Sequence, residues 1–178
     1  LGGGTGNNGR RLRVFRLVAP DVGEYTMSVT RTTASANCHV ALFDFTDVDQ
    51  GDPEGTPAEL TNSGTTTTSS VDVAAAVGDY VIDFFVGSAA PTRDDSRDGF
   101  NAGGSTPALS VAWKVADATT ETCALTYAST GLNTGHFGVA VNGDDTGTAP
   151  DLADRSSAKS NSSIVTSTTV GSGEVVTT

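Results

Sequence analysis

The chain has 178 residues, a formal net charge of −11 and a pI near 4.3, with 37% hydrophobic and 17% charged residues on a Thr-, Ser-, Gly- and Ala-rich background. That length suits one domain with a real core, and the modest charge content sets it apart from disordered chains. The acidity excludes a nucleic-acid binder, whose phosphates would be repelled, and with no apolar run near 18 residues no segment is expected to span a membrane.

Residues 1–9 hold five glycines and nothing to bury, as expected of a flexible arm or linker. The chain starts at Leu1, and its single Met is Met27, well inside an expected strand, so a processed product or a piece of a longer polypeptide is expected. Arg10, Arg11, Arg13 and Arg16 place four of the ten basic residues within seven positions. They are candidates for attachment to an acidic partner; the plainer reading is charge on an edge strand, where it discourages aggregation. Leu12, Val14, Phe15 and Leu17 suggest a first strand, closed by the turn residues Ala19-Pro20-Asp21-Val22-Gly23. Tyr25, Met27 and Val29 then alternate with Thr26, Ser28 and Thr30, the period of an antiparallel strand with one buried face.

The stretch Cys38 to Gln50 is the longest apolar run. Val40, Leu42, Phe43 and Phe45 predict a central strand, ending in a loop that carries Asp47, Asp49 and Asp52. Residues 61–69 are nearly all Thr and Ser and read as an edge strand or a loop. Val71 and Val73 lead to a tight turn at Val77-Gly78-Asp79. Tyr80, Ile82 and Phe84 then share one face of a strand and Val81, Asp83 and Phe85 the other, which predicts burial on both sides. Residues 87–105, with Arg93, Asp94, Asp95, Arg97 and Asp98, form the longest gap and read as a functional or disordered loop. Alternation resumes at Leu109, Val111 and Trp113, then Cys123, Leu125 and Tyr127, then Phe137, Val139 and Val141; Trp113 is expected in the core. After an Asp-, Ser- and Gly-rich stretch, short strands are expected at Ile164-Val165 and Val175-Val176.

These elements predict an all-β, antiparallel β-sandwich, jelly-roll- or Ig-like, over residues 10–143, with residues 144–178 as a C-terminal extension. Two echoes suggest that this extension is a partial second repeat. Ser69-Ser70-Val71 recurs as Ser162-Ser163-Ile164, and His39-Val40-Ala41-Leu42 as Gly138-Val139-Ala140-Val141. An incomplete copy would leave an edge that pairs with a neighbouring chain.

For Ser/His/Asp catalysis the chain offers only His39 and His136, both read as polar residues at strand ends, and no Gly-x-Ser-x-Gly elbow. Cys38 and His39 are adjacent, so their side chains point to opposite faces of a strand and do not make a zinc site. Calcium is the more credible ion: Asp47, Asp49 and Asp52 share one loop, and loop carboxylates with carbonyls can supply the six to eight oxygens calcium takes; solvated turn aspartates are the alternative. Further acidic loops lie at Asp94, Asp95 and Asp98 and at Asp144, Asp145, Asp151 and Asp154. The pair Cys38 and Cys123 would close an 85-residue loop as a disulfide, worth roughly 4–5 kcal/mol in the chain-entropy model, or stay as two free thiols. No catalytic residue and no cofactor beyond calcium is expected.

Phe45-Thr46-Asp47-Val48-Asp49-Gln50-Gly51-Asp52-Pro53, Ser70-Val71-Asp72-Val73 and Gly78-Asp79-Tyr80-Val81-Ile82-Asp83 together resemble a β-sandwich module of tailed-phage virion proteins and of secreted or surface bacterial proteins. The opening from Phe15 to Tyr25 is similar to the start of those modules, and the resemblance spans about residues 12–143. The family commonly has Gly where this chain has Asp47. The resemblance implies a non-enzymatic structural or display protein at the virion surface or outside the cell: a phage capsid decoration, fibre or tail component whose partners are other virion proteins or copies of itself. The rival expectation is a secreted or surface bacterial adhesin or carbohydrate-binding module that takes host glycans.

Overall fold

A computed structural model describes residues 12–18, 23–30, 38–62, 66–88, 90–93, 97–102, 108–128, 134–144, 147–160, 163–170 and 175–177. Among the described residues fourteen strands run in the order β1 (Arg16–Val18), β2 (Gly23–Thr30), β3 (Cys38–Thr46), β4 (Ala58–Asn62), β5 (Thr68–Ala74), β6 (Tyr80–Gly87), β7 (Thr92–Arg93), β8 (Asp98–Ala102), β9 (Ala108–Val115), β10 (Thr120–Thr126), β11 (Thr134–Val141), β12 (Asp151–Ser160), β13 (Ser163–Val170) and β14 (Val175–Thr177). The protein is an all-β sandwich of antiparallel sheets, as its alternating residues predict. Among the described residues no helix is long and apolar enough to cross a membrane.

The central layer is a five-stranded sheet, β4-β11-β6-β9-β8. Successive side chains of a strand point to opposite faces, so β6, apolar at nearly every position, must be covered twice. Ile82, Phe84 and Val86 on one face join Leu109, Val111, Trp113, Phe137, Val139 and Val141 in the main core. The four-stranded sheet β1-β14-β3-β12 closes that core with Ala41, Phe43 and Phe45, helped by Leu12 and Val14. Phe43 is its hub, with ring centroids 5.5 Å from Trp113, 6.1 Å from Phe84 and 6.4 Å from Phe45. Trp113 is therefore a core residue, as expected.

The other face of β6 meets a third layer, the outer sheet β5-β10-β7. Its contact is made of smaller side chains: Val71, Val73, Val81, Ala116, Cys123 and Ala140, with Phe85, Leu125 and Tyr127 as a separate group beside them. Strand β5 alternates strictly, Ser69, Val71 and Val73 inward and Thr68, Ser70, Asp72 and Ala74 outward. The layers approach closely at Gly138, where an added Cβ would stand 2.5 Å from Val73 Cγ2 and 3.2 Å from Val71 Cγ2.

Four expectations change. Residues 87–105, read as one long loop, contain β7 and β8. Residues 144–178, read as an extension, supply both neighbours of β3, because β12 runs along one side of it and β14 along the other. Strand β14 also pairs with β1, so the last strand takes its partners on both sides from its own chain and has no free edge to lend to a neighbour. The echoing segments take unlike places: β5 pairs with β10, whereas β13 pairs with β2 in a separate two-stranded sheet.

Candidate functional site

The chemistry-bearing side chains meet between the central and outer sheets. Asp83 of β6 is fully buried, on the face opposite Ile82 and Phe84. Its Oδ2 lies 2.8 Å from His136 Nε2 of β11 and is also bonded by the Arg93 guanidinium of β7. His136 Nδ1 lies 3.0 Å from Ser69 Oγ of β5, and Arg93 reaches on to Ser110 Oγ of β9 at 3.1 Å. One hydrogen-bonded chain, Ser69 to His136 to Asp83 to Arg93 to Ser110, thus joins five strands from two layers. An ionised carboxylate only accepts, so with the ring neutral His136 donates from Nε2 and takes the Ser69 hydroxyl proton bond at Nδ1. Burial alone would raise the Asp83 carboxyl, but the hydrogen bond from His136 and the charge of Arg93 outweigh it and hold the group below its ordinary range. Phe85 seals the ring edge-on at 6.0 Å.

This chain has the residue types of a hydrolytic triad in the reverse sense. In Ser-His-Asp hydrolases the serine bonds Nε2 and the carboxylate Nδ1; here the serine is on Nδ1 and the carboxylate on Nε2. Ser69 is 3% exposed and His136 0%, so the hydroxyl faces protein and not a cleft. Buried charges must be paired and hydrogen-bonded to persist; Oδ2 of Asp83 meets that demand through His136 and Arg93, while its Oδ1 is buried without a hydrogen-bond partner among the described residues.

A second polar cluster lies further along β10. Glu121 Oε2 is 2.7 Å from Lys114 Nζ of β9 and 3.4 Å from a guanidinium nitrogen of Arg97, while its Oε1 accepts the backbone N–H groups of Asp117 (2.9 Å) and Ala118 (3.2 Å). Burial would raise this carboxyl too, but the Lys114 hydrogen bond and the two backbone donors hold it low. Lys114 in turn is raised, chiefly by its hydrogen bond to Glu121.

The candidate calcium aspartates serve the turn after β3. Asp49 Oδ1 accepts Gly51 N–H at 2.7 Å and Asp52 N–H at 3.1 Å, the local bonding that makes Asp a turn residue. Asp47 sits at φ 56°, the left-handed conformation that glycine adopts freely and Asp tolerates. The backbone stitches this loop to the end of β11 through Asp49 N to Asn142 O, Asn142 N to Pro53 O and Asp144 N to Asp47 O. Among the described residues no three His, Cys, Asp or Glu side chains converge to hold a metal ion.

Of the four arginines, Arg10 and Arg11 lie outside the described residues, as do Asp94, Asp95 and Asp145. Arg13 is exposed and bonds Leu12 O at 3.0 Å, whereas Arg16 pairs with Glu54 of its own chain. Phe15 is 62% and Leu17 47% exposed. Cys38 and Cys123 are both free thiols, the first on β3 and the second on β10. The five-stranded sheet lies between those two layers, which accounts for the absence of a bridge. His136, read as a strand-end residue, is instead fully buried within β11.

Asp83, Arg93, Ser69, Glu121 and Arg97 were not singled out as site residues by the sequence reading. One signal was present: an acid inside Val81-Ile82-Asp83-Phe84-Phe85, a strand expected to be buried on both faces, requires a buried cation or donor. No protein-family model, curated protein or solved structure matches this chain.

Proposed function

We propose that the protein is a non-enzymatic structural or display component of a virion, a capsid decoration, fibre or tail element on the surface of a phage particle, attached through its amino-terminal segment. The observation that carries this reading is the outward side of the segment leading into β1. Arg13, Phe15, Arg16 and Leu17 are exposed, while Leu12 and Val14 are anchored in the main core. Large apolar side chains held out beside cations on a segment rooted in the core suit a protein–protein contact, since aromatic residues and Arg are enriched in such contacts. Arg10 and Arg11 add charge just upstream, and the acidity of the rest of the chain favours solubility of an exposed protein. The inaccessibility of Ser69 and His136 fits a role without turnover.

Particles assembled without this protein, incubated with the purified chain and sedimented, provide the test. Saturable binding of the wild type, weakened at least about tenfold by Phe15→Ser with Leu17→Ser and also by Arg13→Glu, is the expected result; tenfold corresponds to about 1.4 kcal/mol, modest for the loss of an interface anchor. Failure of the wild type to bind particles, or binding to host glycans that these substitutions leave intact, would overturn the reading.

A further inference from the structure

Two ion pairs with buried carboxylates cross between the central and outer sheets, and they have opposite polarity. In one, the carboxylate Asp83 is on the central strand β6 and the cation Arg93 on the outer strand β7. In the other, the carboxylate Glu121 is on the outer strand β10 and the cation Lys114 on the central strand β9. Arg93 pairs across from Leu125, four residues from Glu121, so the two crossings are about 13 Å apart along β10.

We propose that these crossed pairs are an acid-sensitive latch: protonation of the two carboxylates opens the β5-β10-β7 layer as a local unit, its strands unpairing as they part from the central sheet, while the core around Phe43 stays closed. The inference is independent of the proposed display role. It rests first on the unequal packing of the two interfaces. The Phe43 side is held by Phe43, Phe45, Phe84, Trp113 and Phe137 with large aliphatics, whereas the outer interface has Val, Ala and Cys in its larger group and bigger side chains in the separate group of Phe85, Leu125 and Tyr127. Apolar burial scales with the area removed from water, so the outer layer depends more on its polar contacts.

The second support is the surroundings of each carboxylate. Asp83 faces His136 from β11 and Arg93 from β7, with Ser69 of β5 and Ser110 of β9 completing the chain. Glu121 faces Lys114 from β9, Arg97 from the segment before β8, and the N–H groups of Asp117 and Ala118; Asp117 shares Lys114 at 3.3 Å. Protonating Asp83 leaves Arg93 without its counter-charge, and protonating Glu121 leaves Arg97 and the partly exposed Lys114 with less of theirs, Asp117 remaining beside Lys114; the loss favours opening to water. Both carboxyls are held below their ordinary range in the fold, so the opened form takes up protons more readily and acid favours it.

The third support is connectivity. The outer strands are threaded between central ones, β4-β5-β6 and β9-β10-β11, so the layer cannot leave as a body but can open as a local unit, as regions of lower stability do.

Hydrogen exchange on the intact protein, expressed as protection factors from pH 7 down to 2.5, tests this. Peptides covering residues 68–74 and 120–126 are expected to lose protection by up to about tenfold per pH unit for each carboxylate titrated, while those covering 38–46 keep theirs. Opening of all strands together at one pH, or outer-strand protection that follows β3 to the lowest pH, would overturn the proposal. Asp83→Asn and Glu121→Gln should release the same peptides at pH 7. Glu121→Gln lies where Lys114 still reaches solvent, so it is the variant expected to fold, and wild-type protection of residues 68–74 and 120–126 in it would equally overturn the latch.

Discussion

A single oxygen, Oδ2 of the fully buried Asp83, takes both the His136 ring and the Arg93 guanidinium. Arg93→Met is therefore expected to cost about 3–5 kcal/mol, since removing one partner of a buried pair strands the other; urea unfolding against wild type measures it, and a loss below about 1 kcal/mol would show that Asp83 is not buried as described. At Gly138 the constraint is steric. The β carbon of Gly138→Ala would run into Val73 and Val71, and overpacking of this kind costs about 1–3 kcal/mol, read from the same unfolding curves. Part of this was readable in the sequence. The acid at position 83 stands out in an apolar strand, but its partner His136 lies 53 residues away and Arg93 lies in a Gly- and Asp-rich stretch with no strand period. A hydrogen bond between distant strands leaves no local pattern, and so the need for a partner was visible and its identity was not.

Strands declared themselves where apolar residues alternate. Strands β3, β6, β9, β10 and β11 lie where the period-two pattern predicts them, because their side chains meet sheets on fixed faces. The short strands β7 and β8 did not, since two to five residues set among Gly and Asp carry no usable period. The place of the C-terminal strands was hidden for a different reason: β14 is inserted between β1 and β3, a pairing set by topology over more than a hundred residues of sequence separation. Deleting residues 175–178 should accordingly expose an edge of β3 and free β1, lowering the thermal midpoint and raising self-association by strand pairing; an unchanged midpoint in calorimetry would contradict the pairing. The turn entering β6 is similarly specified. Asp79 accepts Ala76 N–H at 2.6 Å through Oδ2 and Gly143 N–H at 3.2 Å through Oδ1, and Gly78 takes φ 104°, as the third position of a type II turn requires. Asp79→Ala should cost about 1–3 kcal/mol by leaving those donors unmet.

At the scale of the molecule, the carboxylates of the two crossing ion pairs make stability depend on pH in one direction. Each has a folded-state pKa below its ordinary value, 3.8 for Asp83 and 4.5 for Glu121, so their contributions are complete above those values and are lost as pH falls through the lower folded-state ones. Lys114 acts in the opposite window: its raised pKa adds stability that is lost only as pH rises beyond 10.5. Stability measured by urea between pH 2 and 11 should therefore form a plateau through neutrality and fall at both ends, with little effect of salt on the buried pairs. The proposed display role would use Phe15 and Leu17, exposed at and just before the first strand, as its contact with the particle. The most direct measurement of that claim is immunogold labelling of purified particles with antibody raised against this chain, joined to a count of copies per particle by quantitative mass spectrometry. The account predicts gold on the particle exterior and many copies per particle in a fixed ratio; label confined to the cell interior or to a freely secreted fraction, with particles lacking the chain, would contradict it.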